Sequence, residues 1–91
     1  MDKPQFAQVW KTVATLAGQT FRTKTGLPFT YQADASALFP SRTKYRISRN
    51  DVETAFKLVP ISGPGEINDL VRGPAYVWAI LHDPRVSGGA W

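Results

Sequence analysis

The stretch 41-SRTKYRISRNDVETAF-56 carries four cations within nine residues, Arg42, Lys44, Arg46 and Arg49, and no acid until Asp51. Cations at that density suit phosphate recognition. Arginine can fork two N–H groups onto a phosphate or a guanine edge, and lysine adds a point charge. Arg22 and Lys24 precede them, and Asp34 is the sole acid between residues 21 and 49. The whole chain nets +4 with a pI near 9.8, so the residues outside this segment are slightly acidic. The basic character belongs to one region.

The remaining reactive residues are sparse. His82 is the only histidine and precedes Asp83 near an expected helix end, a pairing that more often caps or packs than relays protons. With no cysteine and no second histidine, the usual ligands of a zinc site are missing. Ser41, Ser48 and Ser62 have no visible triad partners, and the seven carboxylates are scattered. The glycines of 63-GPG-65 lack the lysine and the strand–helix setting of a phosphate loop. No catalytic residue, metal or cofactor is expected, and the chain is not read as an enzyme.

Ninety-one residues with 43% apolar content suit one small domain, residues 1–91, held by packing without disulfides. The lack of cysteine favours a reducing cytoplasm. Asp2, Lys3 and Lys11 interrupt any leader-like apolar run. The apolar run 75-AYVWAIL-81 falls well short of the roughly 20 residues that span a bilayer, so no membrane contact is expected.

Positioning falls to a few elements. Phe6, Val9, Trp10, Val13 and Leu16 recur at helical spacing within 4–18, with Asp2 as the expected cap and Gly18 as the stop. Alternation predicts strands over 21–25 and 29–34, joined by a hairpin at 26-GLP-28, and a third over 42–47. The segment 35–40 reads as strand extension or loop. Ser48 begins a capping pattern with Asp51, and Val52, Ala55, Phe56 and Val59 form the apolar stripe of a helix ended by Pro60. A Pro- and Gly-rich loop covers 60–74 with one turn near 67–71, and Pro74 opens a short buried helix over 75–83, a buried strand being the competing reading. The tail 85–91 is expected to fray, with Trp91 free to tuck back.

The composite is an α+β class in the order α-β-β-β-α-loop-α, a small antiparallel sheet with helices on one face. Strand parity then assigns Phe21, Phe29, Tyr31, Tyr45 and Ile47 to the core. It leaves Arg22, Lys24, Arg42, Lys44 and Arg46 on the open face beside Thr30 and Gln32. Arg49 extends that patch, where the amides of the helix start could hold a phosphate. The surface is read as a nucleic-acid-binding face, DNA being the favoured polymer. The commoner role of such cations is to wet one side of a sheet.

The large aromatics Trp10, Tyr76, Trp78 and Trp91 suit the core but are also typical interface anchors. The competing reading is therefore a protein-interaction domain, like an adaptor, inhibitor or antitoxin, that binds an acidic protein or forms a homodimer through open sheet edges. The motifs of helix-turn-helix, ribonucleoprotein and zinc-finger modules are absent from the sequence.

Overall fold

Helix α1 spans Phe6–Thr15, its stripe of Phe6, Val9, Trp10 and Val13 buried as the spacing predicts. The computed structural model describes residues 4–91, so the expected cap Asp2 lies outside the described residues; Gln5, in extended backbone, precedes the first turn. A helix end leaves carbonyls without partners. Here the Tyr31 hydroxyl donates to the Val13 carbonyl at 2.6 Å, and the Gly18 amide donates to the Tyr31 carbonyl at 2.8 Å. One residue thus fastens the end of α1 to the sheet.

Strands β1 (Phe21–Arg22) and β2 (Pro28–Phe29) form the expected hairpin, with Phe21 opposite Phe29. The turn begins sooner than predicted, because the Thr23 amide already bonds the Leu27 carbonyl and Gly26 takes a φ of 90°. A second sheet holds β3 (Tyr31–Ala33), β4 (Ala37–Pro40) and β5 (Ile47–Ser48) in the antiparallel order β3-β4-β5. The segment left undecided between strand and loop is therefore the central strand. Its cause is local: the Asp34 carboxylate accepts from the amides of Ser36 and Ala37 and from the Ser36 hydroxyl, folding 34–37 into a tight reversal.

The predicted strand over 42–47 is corrected: only Ile47 and Ser48 pair, and residues 41–46 form a loop. The partner strand ends at Pro40, and the Thr43 hydroxyl turns to the Tyr45 carbonyl at 3.0 Å, a local bond that competes with a ladder. Tyr45, assigned to the core by parity, is exposed, with the Arg72 guanidinium 5.3 Å from its ring centroid.

Helix α2 (Arg49–Phe56) starts as predicted, the Ser48 hydroxyl accepting from the Asp51 amide at 3.1 Å. The Asp51 carboxylate turns away and accepts from the Arg72 amide. A 3-10 turn (Pro64–Ile67) lies slightly earlier than expected, and helix α3 (Pro74–Leu81) follows Gly73. The tail does not fray throughout. Helix α4 (Pro84–Ser87) is capped by Asp83, Val86 and Ser87 are buried, and the Trp91 indole donates to the Leu81 carbonyl at 2.8 Å. Side chains from both sheets, α1, α2 and α3 share one core, an α+β arrangement. No helix among the described residues is long and apolar enough to cross a membrane.

Candidate functional site

Two regions carry polar chemistry, and their side chains differ in how much of it is already used. A cleft of about 340 Å³ lies between β1 and the junction of α3 and α4, with Thr20, Arg22, Trp78, His82, Asp83 and Arg85 among its walls. His82 Nε2 accepts from the Ile61 amide at 2.9 Å, so Nδ1 bears the proton and donates to the Trp78 carbonyl at 3.1 Å. The ring stacks on Trp78 at 5.0 Å, and burial lowers its pKa below the ordinary value. This is a neutral imidazole with both nitrogens occupied.

Arg85 is equally committed. Its guanidinium pairs with both Asp83 oxygens at 2.9 and 3.0 Å and donates to Gln19 Oε1 and the Thr20 carbonyl. It also lies 4.1 Å from the Phe21 ring centroid. Hydrogen bonds from Arg85 hold the Asp83 carboxyl below its usual range. The Arg85–Asp83 pair joins the start of α4 to the segment that leads into β1.

The serines singled out by sequence also hold backbone or local partners. Ser41 Oγ accepts from the Thr30 amide, Ser48 caps α2, and the Ser62 hydroxyl donates to Glu66. Among the described residues, no group of three or more potential metal ligands comes together.

The six predicted site cations do not share one sheet face. Arg22 lies in the first sheet, donates to the Gly26 carbonyl and borders the cleft. Lys24 reaches the Ser62 carbonyl at 2.8 Å and sits 5.8 Å from the Trp78 ring centroid. Arg49 lies over the rings of Phe6 and Trp10, at 5.4 and 5.8 Å. At the start of α2 the amides of Arg49 and Asp51 are taken by the Ser36 carbonyl and Ser48 Oγ, so the expected phosphate cradle is not assembled.

Arg42, Lys44 and Arg46 remain together on the exposed 41–46 loop. Arg42 donates Nε to the Pro28 carbonyl at 2.5 Å, and Lys44 has no hydrogen-bond or ionic partner among the described residues. Arg46 lies near Asp34, whose carboxyl is held low chiefly by the Ser36 amide and hydroxyl, with a smaller contribution from Arg46.

Sequence reasoning missed the aromatic neighbour of this loop. Phe39, on the central strand, is 42% exposed and pairs with Gln32 across β3. The β4–β5 ladder ends at Leu38 and Ile47, and Arg46 is the exposed loop residue that leads into β5. The sheet thus presents the pair Gln32 and Phe39, both exposed, beside a loop that carries cations. The available signal was the Asp34–Ser36 turn, which fixes β4 and with it the direction of Phe39.

Comparison with known proteins returned no matching family model, no matching curated protein and no matching solved structure.

Proposed function

We propose that this chain binds a nucleic acid through the Arg42–Arg46 loop and the adjoining Gln32–Phe39 pair of the sheet. The observation that carries this reading is the loop itself: three exposed cations in five residues, with Lys44 wholly uncommitted among the described residues. Lys44 can approach a phosphate without first breaking an internal bond, Arg42 keeps its terminal nitrogens beyond the Nε bond to Pro28, and each phosphate contact releases condensed counterions. The loop differs in this from the cleft, where Arg85 and Asp83 already neutralise one another. The five-cation ribbon expected from strand parity is replaced by a smaller footprint.

The test is fluorescence anisotropy of labelled mixed-sequence DNA and RNA oligonucleotides across a salt series. With three phosphate contacts the log–log slope should lie at roughly −2 to −3. The combined variant Arg42→Glu, Lys44→Glu and Arg46→Glu should abolish binding while thermal unfolding stays cooperative, since exposed substitutions usually cost little. Unchanged affinity in that variant removes the loop from the interface. No association with any strand at low salt overturns the nucleic-acid reading and leaves the loop to an acidic protein.

A further inference from the structure

Resting on the nucleic-acid reading above, we infer that the polymer is single-stranded and that one unpaired base stacks on Phe39. A phenylalanine 42% exposed in the middle of a central strand leaves part of its ring in water, while its neighbours Leu38 and Pro40 are buried. Its surroundings suit a base more than an apolar protein surface. Gln32 lies directly across β3 and offers an amide able to donate to and accept from a base edge. The loop that carries Arg42, Lys44 and Arg46 begins just past Pro40, the residue after Phe39, and returns to pair at Ile47 with Leu38, the residue before it. A flat ring beside a track of cations is the arrangement that grips an unpaired strand, base on ring and phosphate on cation. In a duplex the base faces are stacked on one another and closed to such a ring. Nor does the chain assemble the continuous cationic sheet face that could lie along a duplex groove, since Lys24 and Arg49 are drawn to Trp78 and to α1.

The experiment uses the full chain with a labelled 15-nucleotide single strand of mixed sequence and a hairpin duplex made from the same bases. The single strand should bind more tightly than the duplex. Phe39→Ala should weaken single-strand binding by roughly 5- to 150-fold and duplex binding by distinctly less. Phe39→Tyr should retain the affinity, and Phe39→Leu, which keeps apolar bulk but no ring, should behave like Phe39→Ala. Thermal unfolding of each variant reports that the fold survives, with Phe39→Leu as the milder change should Phe39→Ala not fold.

Equal binding of duplex and single strand, or full affinity in Phe39→Leu, overturns the stacking inference. If the charge-reversed loop still loses binding in that case, the nucleic-acid reading stands without it. If neither polymer binds the unaltered chain at low salt, both fall together.

Discussion

Both nitrogens of the His82 ring hold backbone in place, one accepting from the Ile61 amide and the other donating to the Trp78 carbonyl. The Trp78 indole completes the clasp by donating to the Ile61 carbonyl at 2.8 Å, so one peptide segment is gripped from both sides by α3. Protonating Nε2 would destroy its acceptor role. Burial lowers the folded-state pKa, opposed by the hydrogen bond to Trp78, and the neighbouring Asp83 is already paired with Arg85. A folded pKa below the unfolded value of about 6.5 gives stability that is complete above 6.5 and is lost as pH falls toward the folded value. Urea unfolding should therefore show stability declining from pH 7 to pH 5. His82→Phe keeps a ring on Trp78 but strands the Ile61 amide; it should cost about 1–2 kcal/mol at pH 7 and show a flatter pH response. Identical pH slopes for the two proteins would assign the decline to another group. The sequence made His82 legible as a packing residue but not its partner, because Ile61 lies 21 residues back, at the start of a Pro- and Gly-rich loop.

Between elements, the turn at Arg72 and Gly73 supports the base of the basic loop. Arg72 covers Tyr45 and its amide bonds Asp51, while Gly73 sits against Ile47 in left-handed backbone, φ 60° and ψ 49°. A Cβ there would lie 2.6 Å from Ile47 Cδ1 and 3.4 Å from Tyr45 Cε1, and Ile47 is fully buried with little room to retreat. Gly73→Ala should cost about 1–3 kcal/mol through backbone strain and overpacking together. Gly65→Ala, where nothing lies within 4 Å, should stay within about 0.5 kcal/mol in the same denaturation measurement. Comparable losses at both positions would contradict this account of the turn. The helices were legible because their caps and stripes are local: Ser48 with Asp51, Pro74 at a first turn, Phe6 to Val13 at helical spacing. The sheet was less so. Alternation in 42–47 resembles a strand, yet pairing requires a partner, and β4 stops at Pro40. The candidate surface inherited that error, retaining Arg42, Lys44 and Arg46, scattering the others and hiding Phe39 from view.

For the molecule as a whole, the unexpected feature is how firmly the C-terminal segment closes it. The radius of gyration is 11.7 Å, near the roughly 12 Å of a compact chain of this length, which leaves no room for a long dangling tail. Val86 is buried, Arg85 ties α4 to Gln19 and Thr20, and Trp91 meets Phe56 edge-on at 5.4 Å. The sequence 85-RVSGGAW-91 resembles a fraying end because glycine pairs usually accompany one, whereas here Gly88 and Gly89 take positive φ and return the chain toward the core. A domain this small has little stability to spare. Deleting residues 84–91 removes a buried valine, a half-buried tryptophan and the Arg85 bonds at once. We expect a loss of at least about 3 kcal/mol, seen as a fall of roughly 12–24 °C in the unfolding midpoint or as loss of a cooperative transition. A truncated chain melting within a degree or two of the intact one would mean that these contacts hold the tail without holding the fold. The basic loop lies apart from this seam, so milder lesions here, Arg85→Ala or Trp91→Ala, should lower the midpoint while oligonucleotide affinity, measured well below it, stays unchanged.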